Sequence, residues 1–142
     1  MDWLIDTNIV SELMRERPNA AVLAWLDAGR RNRLFLSSIS VMELHYGLAR
    51  LADGRRRQQL EAALAAVISE DFAGRILGFD TAAAEQAGRL QAQREAVGRP
   101  VEVRDTMIAG IALANGIGIV TRNIGDFHGL DVPLVNPFDA RP

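Results

Sequence analysis

Trp3-Leu4-Ile5-Asp6-Thr7-Asn8 sets three apolar residues directly before an acid and two short polar side chains. An unbroken apolar run of this kind reads as a strand covered on both faces, as strands of parallel sheets are. Asp6 then stands where the strand stops. In an open α/β sheet the carboxyl ends of the strands form the ligand crevice. Outward from this stretch, apolar runs alternate with helix-spaced segments. Strands are expected over residues 34–37, 75–79 and 117–121, with an edge strand at 134–135. Helices are expected over 9–14, 20–28 (closed by Gly29), 40–51, 55–69, from a cap at Asp80 to 97, and over 105–115, closed by Gly116. This alternation predicts a three-layer α/β/α sandwich around a central, mostly parallel sheet of four or five strands. Residues 1–142 are expected to form one domain.

Composition narrows the chemistry. The chain is 49% hydrophobic and 24% charged, as a soluble globular protein is. No cysteine is present, which excludes disulfides, thiolate metal sites and cysteine nucleophiles. All basic side chains are arginine, so no P-loop lysine, Schiff base or lysine general base is available. The net charge of −2 argues against a generic nucleic-acid coat. No basic leader with a long apolar stretch opens the chain and no apolar run is bilayer-length, so a cytoplasmic protein with no membrane contact is expected.

Three further acids, Glu43, Asp105 and Asp126, fall after strand-like runs or near helix starts. Each has an ordinary reading. Asp6, Thr7 and Asn8 are good caps, Ser40-x-x-Glu43 fits a capping box, Asp105 suits a helix dipole, and Asp126 sits in a turn composition. Their joint placement says more. Asp6 and Thr121 end strands that can be neighbours, and Glu43 and Asp105 begin the helices packed beside them. Carboxylates gathered in one crevice repel one another unless a cation neutralises them. Hard divalent ions such as Mg²⁺ or Mn²⁺ take oxygen ligands and meet substrate phosphates, which points to metal-assisted phosphodiester chemistry.

The motifs carry a resemblance. Leu4-Ile5-Asp6-Thr7-Asn8-Ile9-Val10-Ser11-Glu12-Leu13 resembles the opening of PIN-domain ribonucleases, in particular VapC-type toxins of bacterial toxin–antitoxin pairs. Ser40-Val41-Met42-Glu43-Leu44-His45-Tyr46-Gly47, Arg104-Asp105-Thr106-Met107-Ile108-Ala109 and Thr121-Arg122-Asn123-Ile124-Gly125-Asp126-Phe127 are similar to the three later acidic motifs, and Val135-Asn136-Pro137 to the usual ending. The resemblance implies metal-dependent hydrolysis of RNA, with catalytic Asp6, Glu43, Asp105 and Asp126. Asp6 and Asp105 would be the principal metal ligands, with Glu43 and Asp126 as further ones. The fourth acidic position falls on Asn123, so either Asn123 or Asp126 fills it. Thr7 and Thr121 would orient carboxylates or water, and Arg104 and Arg122 would meet substrate phosphate. The resemblance also implies an RNA substrate, a VapB-like antitoxin and a homodimer.

Other residues stay less defined. Arg55-Arg56-Arg57 at a helix start is electrostatically misplaced and favours an acidic partner or phosphate. Trp25, Tyr46 and Phe127 could stack on bases, core packing being the simpler reading for Trp25 and Tyr46. His45 and His128 are read as structural or exposed. Two other functions fit parts of the pattern. A haloacid-dehalogenase-type phosphatase also begins with a strand-end aspartate, but its Asp-x-Asp and its lysine are missing here. A PIN-like interaction module with weak catalysis is the non-enzymatic alternative.

Overall fold

In the computed structural model, residues 1–28 and 30–139 are described. The strands are β1 (Trp3–Ile5), β2 (Leu34–Ser37), β3 (Ile76–Leu77), β4 (Gly118–Val120) and β5 (Leu134–Val135). They form a sheet of order β3-β2-β1-β4-β5 in which every pairing is parallel. The helices are α1 (Thr7–Leu13), α2 (Ala20–Asp27), α3 (Ser38–Ala49), α4 (Arg55–Ala66), α5 (Thr81–Ala96) and α6 (Val103–Asn115).

The side-chain period of a strand divides the core in two. Ile5, Leu36 and Val120 lie in register on one face and pack with Val22, Leu44, Leu48 and Leu64 of α2, α3 and α4. Leu4 and Ile119 point to the other face and pack with Ala83, Leu90, Ile108 and Ile111 of α5 and α6. Two separate cores on two faces are the three expected layers. Helices α5 and α6 approach closely because residue 110 is glycine. A Cβ there would lie 2.5 Å from the Ala83 carbonyl oxygen and 2.8 Å from the Ala87 Cβ.

The chain builds outward from β1 through β2 to β3, then returns to the other side of β1 for β4 and β5. The switch in direction therefore falls between β1 and β4, where such sheets open their crevice. Most expected elements form, with shifted ends. Helix α3 starts at Ser38 because Ser37, not Ser40, caps it: the Ser40 N–H donates to Ser37 Oγ at 3.0 Å. Glu43 is thus not the back-reaching member of a capping box. Helix α6 starts two residues before Asp105, which lies in its first turn. Helix α4 continues into a π-helical turn at Val67–Asp71, and β3 is shorter than expected. Asp80 does cap α5, accepting from Ala83 N–H at 2.9 Å. Gly116 closes α6 in the left-handed conformation, φ 64°. Gly29, expected to close α2, lies outside the described residues.

Candidate active site

Asp6 ends β1, and its own N–H extends the pairing with β4 by donating to the Val120 carbonyl at 2.8 Å. Its side chain turns back to cap α1, accepting from Thr7 N–H at 2.8 Å. The second carboxylate oxygen accepts from Thr121 Oγ1 at 2.8 Å and from Asn8 Nδ2 at 3.4 Å. Thr121 is fully buried, and Asp6 is only 4% exposed. One hydroxyl thus clamps the strand-end carboxylate from the neighbouring strand. The same Thr121 Oγ1 accepts from Asn123 N–H at 3.0 Å, which shapes the turn carrying Asp126.

Across the crevice, Thr7 Oγ1 donates to Glu43 Oε1 at 2.8 Å and lies 2.7 Å from the buried Ser40 Oγ. Arg104, at the start of α6, meets Glu102 at 3.0 Å and reaches Glu43 at 3.8 Å. Arg122 does not point into this set. Its guanidinium lies over the Phe138 ring, 4.4 Å from the centroid.

The acids feel one another. Burial pushes the Asp6 carboxyl above its usual range, the Thr121 and Thr7 hydrogen bonds oppose this, and the charges of Glu43 and Asp126 add to it. Burial also raises Asp105, to about 7, with further repulsion from Asp6, then Asp126, Glu102 and Glu43. The four expected acids therefore share one electrostatic neighbourhood, Asp126 from an exposed turn. The Asp126 charge reaches Asp6 and Asp105, while Asn123 donates its backbone N–H to Thr121 Oγ1.

The donor set suits a hard divalent cation. It consists of carboxylate oxygens with hydroxyls behind them, and its mutual repulsion is what a cation would relieve. Among the described residues, no three acid or histidine side chains converge tightly enough to cage an ion alone.

Two residues of the site went unread in the sequence. Ser40 was legible as a cap, yet its hydroxyl faces Thr7. Asn8 accepts from Arg122 N–H at 3.3 Å and so latches the end of β1 to the loop after β4. The aromatic expectations reverse. Phe127 is 1% exposed, so core packing removes it from any base, whereas Tyr46 is 56% exposed with Arg50 5.4 Å from its ring centroid. Trp25 packs edge-on against Trp3, with centroids 5.5 Å apart. Both histidines are exposed. Arg57 needs no outside partner: it pairs with Asp53 at 3.0 Å and Glu61 at 2.7 Å.

The profile of the PIN domain matches residues 3–131. The chain belongs to the PIN-domain family. It is 37% identical to the VapC ribonuclease Y4jK of Sinorhizobium fredii, covering 96% of this chain and 97% of that protein. It is 36% identical to the toxin FitB of Neisseria gonorrhoeae, covering 95% and 97%. The crystal structure of FitAcB from Neisseria gonorrhoeae superposes with a TM-score of 0.88 at 36% identity, over 97% of this chain and 99% of that one. PIN-domain membership sets aside the haloacid-dehalogenase alternative. Among the described residues, no helix is long and apolar enough to cross a membrane.

Proposed function

We infer that this PIN domain is an endoribonuclease, the toxin of a toxin–antitoxin pair, and that its hydrolysis depends on Mg²⁺ or Mn²⁺. The observation that carries the reading is the set of acids at the β1–β4 switch, whose charges raise one another's carboxyls and whose oxygens are positioned by the Thr7 and Thr121 hydroxyls. Near-complete alignment with proteins named as a VapC ribonuclease and a toxin supports it.

In this reading Asp6 and Asp105 would be the principal ligands of the cation, with Glu43 and Asp126 as further ones. A bound divalent ion supplies acidified water and charge neutralisation at the phosphoryl oxygens. The chain's own residues do the positioning. Thr121 and Thr7 N–H fix both oxygens of Asp6, and the Thr7 hydroxyl fixes one oxygen of Glu43. Arg104 sits where it can contact substrate phosphate while restraining Glu43, whereas Arg122 would have to leave the Phe138 ring to do so. Residues 1–142 act as one PIN-like domain in a homodimer.

A cognate, VapB-like antitoxin completes the proposal. A cleft of about 290 Å³ between α1, α3 and α4 reaches Thr7 and Glu43 and is lined by Met14, Leu44, Leu48 and Leu60. A peptide held there by apolar side chains could place a cation against Glu43.

The test is cleavage of total RNA by purified, antitoxin-free protein, with Mg²⁺, Mn²⁺ or EDTA. Discrete fragments are expected with either ion and none with EDTA. Cleavage that persists in EDTA, or no cleavage by folded protein with either ion, would refute the reading.

A further inference from the structure

The acidic centre poses a problem for the substrate the preceding reading gives it. A polyphosphate strand approaching Asp6, Glu43, Asp105 and Asp126 meets like charge, so cations beside the centre must hold the flanking nucleotides. Arg104 is already engaged by Glu102 and Glu43. Among the described residues, Arg56 is in no ion pair and lines the cleft that reaches Thr7 and Glu43, and further unpaired cations lie beside Asp126. A cleft of about 430 Å³ opens beside Asp126, between the end of α5, residues 99–101 and the 125–129 turn. Its volume is within the roughly 300–1,000 Å³ of small-ligand sites. Arg94, Arg99 and His128 line it together with Gln93 and Asp126 itself, with Val97 and Pro100 as its apolar wall.

The backbone builds this arrangement. Helix α5 stops at Ala96, and Gly98 turns the chain in the left-handed conformation, φ 69°. The Arg99 N–H then donates to the Arg94 carbonyl at 2.8 Å, which brings the two arginines to the same end of the helix. Arg94 Nη2 donates to the His128 carbonyl at 2.8 Å, so the guanidinium is held against the turn carrying Asp126. Its other N–H groups remain available, and among the described residues neither Arg94 nor Arg99 is ion-paired. Helix-dipole compensation accounts for a cation in the last turn, such as Arg94. It does not account for Arg99, which lies past the turn, or for an exposed Val97 facing the same cleft, 70% open to solvent.

We propose that this cleft is a nucleotide subsite for the RNA strand beside the scissile bond, with Arg94 and Arg99 binding phosphate and Val97 and Pro100 meeting a base face. The proposal rests on the ribonuclease reading and extends it to the substrate's flank. Guanidinium suits the task because its planar fork takes two phosphate oxygens at once. The open cleft sets Gln93 and His128 beside the apolar wall, so a single-stranded base can meet both an apolar face and hydrogen-bonding groups there.

The test uses full-length protein carrying Asp105→Asn to prevent turnover, and fluorescence anisotropy with a labelled single-stranded RNA 12-mer in Mg²⁺ buffer. Arg94→Gln/Arg99→Gln is compared with Arg33→Gln, which lies at the opposite end of β2 from the acids. The double variant should bind about tenfold more weakly while remaining fully folded at the assay temperature by thermal unfolding. Its salt dependence should flatten by about 1.4 in log–log slope, from about 0.7 per lost phosphate contact on a single strand. Arg33→Gln should bind as its parent does. Equal binding by parent and double variant, with wild-type protein still cleaving RNA, overturns the subsite and leaves the ribonuclease reading standing. A double variant that binds RNA normally but loses an acidic protein partner also overturns it. Absence of both RNA binding and cleavage in the parent proteins removes the ribonuclease reading itself.

Discussion

Replacing Asp105 by asparagine should disable the site and at the same time stabilise the ion-free fold. Asp105 is half-buried and surrounded by Asp6, Asp126, Glu102 and Glu43, which together with burial raise its carboxyl from 3.8 to about 7. A folded state that holds this proton while the unfolded chain has released it loses stability as pH rises from about 4 to about 7. Above that window the loss is complete. The full difference corresponds to about 4 kcal/mol at 1.36 kcal/mol per pH unit. Solvent at the half-buried site screens this to about 1–2 kcal/mol. Asparagine removes the charge and keeps the shape. Thermal unfolding in EDTA at pH 8 should therefore show the variant melting about 3–8 °C above wild type, given roughly 3–4 °C per kcal/mol at this chain length. The gap should close toward pH 4.5, where both side chains are neutral in the folded protein. Saturating Mg²⁺ should raise the wild-type midpoint and leave the variant nearly unmoved. A variant that melts at or below wild type at pH 8, or a gap independent of pH, would refute the electrostatic account of the cluster.

Three further outcomes follow from particular contacts. Thr121→Val keeps the shape but leaves the buried Asp6 oxygen with only the 3.4 Å Asn8 contact, so stability should fall by about 1–3 kcal/mol in urea unfolding. Thr121→Ser should restore most of it. Ser40→Ala removes the buried partner of the Thr7 hydroxyl and should lower stability by about 1 kcal/mol, with RNA cleavage slowed several-fold as Glu43 loosens. Gly110→Val puts side-chain atoms into the Ala83 carbonyl at the α5–α6 crossing. Calorimetry should register a loss of about 1–3 kcal/mol or more.

Much of this was legible in the sequence, for reasons the structure makes concrete. Trp3-Leu4-Ile5 reads as a central strand because it is covered on both faces, and Asp6 falls at its end by simple counting. The alternation of runs gave the layers, and β4 lies beside β1 as expected. Helix starts were less readable, since Ser37-Ser38-Ile39-Ser40 offers several capping hydroxyls and only the packed structure selects Ser37. Long-range hydroxyl pairs such as Thr7–Ser40 have no local signal, and neither does the Asn8 latch across 114 positions. Phe127 and Tyr46 were misread for one reason. Composition marks an aromatic as apolar, but tertiary packing decides which of two aromatics is covered.

The cleft at Arg94 and Arg99 was invisible in the same way. The two arginines sit five positions apart with a helix end between them, and it is Gly98 that folds them together. No motif at this spacing marks them out.

Joint binding of one divalent ion by Asp6 and Asp105 is what the proposed chemistry requires. Calorimetric titration of Mn²⁺ into metal-free protein tests it most directly, run at pH 7 in two buffers of different ionisation enthalpy. With Asp105 at about 7, binding should release about half a proton per ion at pH 7 and almost none at pH 8.5. Asp6→Asn and Asp105→Asn should each weaken binding at least tenfold. Binding of wild-type strength in either variant, or no proton release at pH 7, would contradict the account.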